Sequence, residues 1–203
     1  MNILHIDCSA RAQSHSRWLS AGIVARLRDA YPHAHVTRRD LGLVPIAHAD
    51  DGYATALSSP AAMAHAPLGA VVRLSEELIG ELEAADMVVI GTPMHNFTVP
   101  SVLKAWIDQI VRVGRTFTAT ADGKQGVLRD RPVYVGIASG GVFCGERASQ
   151  PDFLTPYLQA ALGCVGLHDL RFLPLQGTAF LDVEHLQLSR ESLLTTLELA
   201  TAA

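Results

Sequence analysis

The sequence predicts an α/β fold. It is a three-layer sandwich, in which helices cover both faces of a five-stranded parallel sheet of order 2-1-3-4-5. Three observations carry this. Apolar runs of strand length recur at residues 2–7, 87–91 and 132–138, as expected of strands buried on both faces. Segments with apolar residues at helical spacing separate them, so the chain reads as βαβ units. Five candidate strands, not six, favour the order 2-1-3-4-5 over the six-stranded dinucleotide-binding sheet.

Residues 2–7 make the first strand, and from Ser16 the pattern turns helical, with Leu19, Ile23 and Leu27 four apart. Residues 35–40 make the second strand, 75–85 a helix, and 87–91 the third strand. Val99, Leu103, Trp106, Ile110 and Val113 then fall on one helical face. On the opposite side, Lys104 with Asp108 and Asp108 with Arg112 stand at pairing distance for a helix. Residues 132–138 and 170–173 supply the last two strands. Asp182 is placed to cap a final helix whose inner face carries Leu186, Leu193 and Leu197. The stretch 41–70 is rich in Ala, Pro and His and lacks periodicity. Segments of that length are usually functional or partly helical, so it reads as a lid or a subunit contact. With 203 residues and no internal repeat, residues 1–203 read as a single domain.

Composition excludes several classes. Hydrophobic residues make up 49%, charged residues 18%, and the net charge is −4, so nothing drives nonspecific binding to nucleic acid or to an anionic membrane. Arg38 and Arg39 are too few to form a patch. No apolar stretch approaches the ~20 residues that span a bilayer. The opening MNILHIDCSA lacks a basic leader and reads as a strand, not a signal peptide. Cys8, Cys144 and Cys164 have neither CxxC spacing nor an even count, which argues against a disulfide framework or a metal site and points to the cytoplasm.

The first candidate site is the turn after strand one, CSARAQSHS at residues 8–16. Ser9, Ser14 and Ser16 bring hydroxyls to a helix N-terminus, whose amides and dipole attract an anion. Arg11 adds charge. Neither GxxxxGK[ST] nor GxGxxG is present, so an ATP-type P-loop and a dinucleotide turn are both excluded. Hydroxyls and amides without a lysine suit a terminal phosphate monoester that is held and not cleaved. The plainer reading is that Ser14 or Ser16 caps the helix.

A second loop, Pro93 to Val99, and a third, ASGG at residues 138–141, leave the same sheet edge. Gly140 and Gly141 allow close approach of backbone to a flat ligand. Together the three loops suit a ligand with a phosphate at one end and a planar ring at the other. Each residue also has a plainer explanation. Pro93 and Pro100 stop strand and helix, His95 is a surface histidine, Asn96 a turn residue, Met94 or Phe97 core. Trp106 belongs to the core or to a subunit contact, and Cys144 is a bystander.

Taken in order, CSARAQSHS, PMHNFTVPSVLKAWIDQIVRVGRTF, FTATADGKQGVL and TPYLQAALGCVGLHDLRF resemble the FMN-dependent NADH azoreductases, which are also NAD(P)H:quinone oxidoreductases of flavodoxin-like fold. The resemblance spans nearly the whole chain. It implies one FMN-binding domain, with Ser9, Ser14, His15 and Ser16 at the phosphate. Pro93, Met94, His95, Asn96 and Phe97 would line the isoalloxazine, and Ser139, Gly140 and Gly141 would meet its pyrimidine side. It also implies a homodimer, NADH or NADPH as co-substrate, and a small quinone or azo acceptor. The reaction would be ping-pong, with hydride passing to the flavin and two electrons then to the acceptor. Asn96 and His95 stand nearest the chemistry, His95 as a candidate proton donor.

The chain departs from its relatives in places. They often carry tyrosine at position 95 and arginine within the loop formed here by Ser139, Gly140 and Gly141. Positions 119 and 161, aromatic in some, are alanines here. These changes bear on what stacks above the ring. Two other classes share the fold: an electron carrier without a nicotinamide site, and a flavin-free binding module. A carrier usually has a tighter serine/threonine phosphate turn and a strongly acidic surface, and neither is seen here.

Overall fold

The computed structural model describes residues 1–58 and 72–199. In chain order they form β1 (Asn2–Asp7), α1 (His15–Ala30), β2 (His35–Asp40), α2 (Asp51–Ser58), α3 (Arg73–Ala84), β3 (Met87–Pro93) and α4 (Ser101–Ile110). There follow β4 (Phe117–Thr120), β5 (Gly123–Gly126), β6 (Val133–Ala138), α5 (Leu154–Val165), β7 (Leu170–Leu175) and α6 (Val183–Thr195). β2, β1, β3, β6 and β7 make one sheet in that order, and β4 and β5 form a separate hairpin. Every pairing within the large sheet is parallel. Counted among themselves, its strands run 2-1-3-4-5, as the sequence predicts; the hairpin only shifts the numbering.

Alternation along each strand divides the core in two. Leu4, Ile6, Val88, Ile90, Val135 and Ile137 face one side and pack with Leu78 and Leu82 of α3, Leu103 and Trp106 of α4, and Leu158 and Leu162 of α5. Ile3, Met87, Val89 and Tyr134 face the other, against Leu19, Ile23 and Leu27 of α1 and Leu186 of α6. The helices thus lie in two layers about the sheet. Trp106 is a core residue, 1% exposed.

Helix α1 sits unusually close to the sheet because glycines lie beneath it. A Cβ on Gly91 would stand 2.5 Å from Ser20 Oγ and 2.8 Å from the Ser16 carbonyl, and one on Gly136 would stand 3.0 Å from Leu19 Cγ. This approach brings the N-terminus of α1 down to the carboxyl edge of β1 and β3.

Several elements differ from expectation. The helix after Pro100 ends at Ile110, so Val113 lies outside it, 40% exposed. The stop has a local cause. The Thr116 hydroxyl donates to the Ile110 carbonyl (2.6 Å) and accepts from the Arg112 amide (3.0 Å), and Gly114 follows at φ 73°. Arg112 is consequently turned to Glu76 and not to Asp108, whereas Lys104 does pair with Asp108 at 2.5 Å. The last strand continues through Pro174 to Leu175, which an edge strand tolerates. The hairpin β4–β5 and helix α5 lie outside the expected elements. Within the 41–70 stretch residues 51–58 are helical, and residues 59–71 lie outside the described residues.

Gly91→Ala is expected to lower stability by about 1–3 kcal/mol, as overpacking does. Gly80→Ala, on an exposed turn of α3 with nothing within 4 Å of the added methyl, is expected to raise it by about 0.5–1 kcal/mol. Urea unfolding of the two variants checks both signs.

Candidate functional site

Because the strands are parallel, the loops after β1, β3, β6 and β7 leave one edge of the sheet. Strand β1 has β2 on one side and β3 on the other, so the chain reverses its direction of travel there and opens a crevice at the carboxyl ends.

The turn after β1 is held from below by Arg17, 7% exposed. Its Nε and Nη2 donate to the Ser9 carbonyl at 2.9 and 2.6 Å, and its Nη1 and Nη2 donate to the Asp40 carboxylate at 2.7 and 2.5 Å. Asp7 Oδ2 lies 3.4 Å from the same guanidinium. The chain passes close by at Gly42, where a Cβ would overlap the Ser9 carbonyl. Arg38 closes the group from β2, donating to Asp7 Oδ2 at 3.1 and 2.7 Å. Ser20 Oγ donates to Asp7 Oδ1 (3.0 Å) and lies 2.9 Å from His5 Nε2. Burial pushes the Asp7 carboxyl up, but the contacts with His5, Arg38 and Ser20 outweigh it and hold the pKa at about 2. The two arginines predicted too few for a patch are therefore committed to carboxylates, Arg38 here and Arg39 to Glu77 and Glu81.

Ser14 is the N-cap of α1, with extended backbone (φ −93°, ψ 153°) and its Oγ accepting from the Arg17 amide at 3.3 Å. The capping role is thus real, and it leaves the amides of His15 and Ser16 without helical carbonyl partners. Ser14 Oγ and Ser16 Oγ are 3.2 Å apart; Ser16 is fully buried and Ser9 nearly so. The Ser9 hydroxyl accepts from the Arg11 amide at 3.2 Å. His15, half-buried, receives a hydrogen bond at Nδ1 from Arg190 of α6. Burial, then the charges of Arg190 and Arg11, hold its pKa below the usual imidazole value.

After β3, His95 and Thr98 exchange backbone hydrogen bonds of 2.9 and 3.0 Å. The two residues between them, Asn96 (φ 47°) and Phe97 (φ 72°), are both left-handed, as in a type I′ turn. Asparagine tolerates this conformation, whereas a phenylalanine in it is strained. His95, Asn96 and Phe97 are exposed at the tip, while Met94 is partly covered. Pro93 is the last residue of β3, in register with Ala138.

After β6, the Ser139 carbonyl accepts from the Thr178 amide (3.0 Å) and hydroxyl (3.1 Å), and the Gly141 carbonyl from the Gly177 amide (3.0 Å). Gly140 is exposed and Ser139 is buried. Gln150 joins this loop to the previous one. Its Nε2 donates to Ser139 Oγ (3.2 Å) and Met94 Sδ (3.1 Å), and a Cβ on Gly141 would overlap its amide.

The structure places all twelve expected residues at one edge of the sheet, on or directly beside the loops after the neighbouring strands β1, β3 and β6, with His15 and Ser16 in the first turn of α1 and Pro93 at the end of β3. Sequence reading missed Arg17, Asp40, Gln150 and Arg190. Nothing local marks them, since each acts across a large sequence separation. The donor set of hydroxyls, helix amides and cations, with exposed Asn96, Phe97 and Gly140 at the same edge, fits a flavin mononucleotide there.

This geometry defines a flavodoxin-like protein, and the family model described as "Flavodoxin-like fold" matches residues 1–197. The chain is 50% identical over 182 residues to "FMN-dependent NADH:quinone oxidoreductase 4" of Pseudomonas fluorescens, covering 89% of this chain and 86% of the relative. The azoreductase of Bacillus anthracis str. Sterne superposes with a TM-score of 0.84 at 22% identity, covering 96% of this chain and 97% of that one. An FMN-dependent NADH-azoreductase of B. anthracis str. Ames Ancestor, solved in complex with FMN, superposes with a TM-score of 0.80 at 22% identity and 96% coverage of each. The chain belongs to the flavodoxin-like fold family and, within it, to the FMN-dependent NADH:quinone oxidoreductases.

Asp7 has a folded pKa of about 2 against an ordinary 3.8. Its ionised form therefore stabilises the fold above 3.8, and that contribution disappears as pH falls through about 2. The stability advantage of the native protein over Asp7→Asn is expected to shrink by about 2 kcal/mol across that window. Urea midpoints at stepped acid pH measure it.

Proposed function

We propose that the protein is an FMN-dependent oxidoreductase passing reducing equivalents from NADH or NADPH to a small quinone or azo acceptor. The observation that carries the reading is the convergence of the serine turn, the His95–Thr98 turn and the Ser139–Gly141 loop on β1, β3 and β6, which are adjacent strands. The naming of the 50%-identical relative supports it.

Ser9, Ser14, His15 and Ser16 would hold the phosphate by hydroxyls, ring N–H and helix amides. Pro93, Met94, His95, Asn96 and Phe97 would line the ring, and Ser139, Gly140 and Gly141 its pyrimidine side. When bound, FMN would supply the hydride-accepting, two-electron redox chemistry. The chain's own residues orient it. The His95–Thr98 turn would present the Asn96 amide to the ring, Gln150 ties Met94 to Ser139, and backbone N–H groups would favour negative charge at the ring's polar edge. Phe97, 45% exposed, offers a face against which a flat co-substrate packs. One such slot takes dinucleotide and acceptor in turn, which makes the reaction ping-pong. His95, exposed at the turn's tip, would be the proton donor to the reduced acceptor.

The proposal takes residues 1–203 as one domain, cytoplasmic and homodimeric. Among the described residues no helix is long and apolar enough to cross a membrane. Exposed Phe153, whose amide donates to the Phe97 carbonyl at 3.0 Å, is apolar surface beside the site that a second subunit would cover.

Anaerobic NADH titration of FMN-reconstituted protein tests this. Bleaching of the visible absorbance at equimolar NADH is expected. Tight FMN binding without bleaching by NADH or NADPH would indicate a carrier, and failure to bind FMN would overturn the reading. His95→Asn is expected to slow acceptor reduction by up to about 100-fold while the rate of bleaching by NADH stays in place, as stopped-flow of the two half-reactions would show.

A further inference from the structure

Arg190 is a partly buried arginine without a carboxylate partner among the described residues; Arg131, which likewise faces none, donates instead to the carbonyls of Leu82, Glu83 and Ala85. Arg17, Arg39, Arg112, Arg115 and Arg171 each face a carboxylate. Arg190 faces none among the described residues, and burial alone pulls its pKa down. Its guanidinium lies 4.8 Å from the centroid of the Trp18 ring, its Nε is buried without a hydrogen-bond partner, and its Nη2 donates to His15 Nδ1. A desolvated cation without a counter-charge is costly.

Its position shows what would compensate it. His15 is the first residue of α1, between the hydroxyls of Ser14 and Ser16. An imidazole accepting at Nδ1 carries its proton on Nε2, and Nε2 has no hydrogen-bond partner among the described residues. The Ser14 and Ser9 hydroxyls already accept from backbone amides, and what this helix end still offers is donors: the amides of His15 and Ser16 and the His15 Nε2–H. Arg11 and Arg190 add positive charge, while the nearest carboxylates, Asp7 and Asp40, are already occupied by Arg38 and Arg17.

We infer that Arg190 is a positioning residue for the phosphate monoester of the flavin. It fixes His15 as an Nε2–H donor and supplies the cation that a turn without lysine lacks. The inference rests on the function proposed above and adds a distant residue of α6 to cofactor recognition. It predicts that Arg190 separates FMN from riboflavin, which shares the ring and lacks the phosphate.

The test is titration of apoprotein with FMN and with riboflavin, followed by flavin fluorescence, for the native chain, Arg190→Met and Arg190→Lys. Methionine keeps apolar contact with Trp18 but removes charge and donor. FMN affinity is expected to fall about tenfold or more in Arg190→Met, as loss of a charge-assisted contact does, with riboflavin affinity within about twofold of native. Arg190→Lys is expected to recover part of the FMN affinity because it restores the charge, and the FMN loss is expected to shrink at high salt. Equal losses for FMN and riboflavin would mean a merely structural role and overturn the inference, leaving the proposed function standing. Unchanged FMN affinity with a raised KM for NADH would assign the cation to the dinucleotide and overturn it as well. A native chain that binds no FMN would overturn both.

Discussion

The carboxyl edge of this sheet depends on the buried guanidinium of Arg17. One side chain meets the Ser9 carbonyl, the Asp40 carboxylate and the Asp7 carboxylate, and so joins the ends of β1 and β2 to the first turn of α1. Fork-shaped donation suits arginine and not lysine. Removing it would leave the Asp40 carboxylate and the Ser9 carbonyl without their principal donor in a poorly solvated place, while Asp7 would keep Arg38 and Ser20. The serine turn can present its hydroxyls and amides only because its own carbonyl is turned inward to Arg17.

The other half of the site is held by weaker but converging contacts. Gln150 reaches Ser139, Met94 and the space above Gly141, so two loops from different strands share one anchor. The His95–Thr98 turn forces Phe97 to positive φ, which costs energy of the order of 1–3 kcal/mol. That strain is tolerated because the turn is tied down on both sides, by the bridge within it and by the Phe153 amide on the Phe97 carbonyl. A flat ligand is oriented best by groups that do not move when it arrives.

Much of the fold was legible in the sequence. Leu19, Ile23 and Leu27 marked α1, Asp182 marked the start of α6, and the apolar runs marked the central strands, because each signal is local and repeats at the period of its element. Val113 was misplaced because it continues the apolar spacing of α4, while the stop is made by Thr116, six residues beyond Ile110. The hairpin escaped because its strands, FTAT and GKQG, are mostly exposed and polar. Helix α5 carries the same signal as α1, Leu154, Leu158 and Leu162 four apart with Val165 after them on the buried face, although it was not among the expected helices.

The candidate site divides in the same way. Sequence alone determined which residues stand on the three loops, since composition and order along the chain mark a loop after each strand. It also offered Ser14 or Ser16 as the cap of α1, and the structure makes it Ser14. Tertiary structure decided what holds those loops in place. Arg17 with Asp40, Gln150 with Met94 and Arg190 with His15 are separated by 23, 56 and 175 positions. Such pairs leave no periodic trace, because their partners meet only when parallel strands bring distant loops to a common edge.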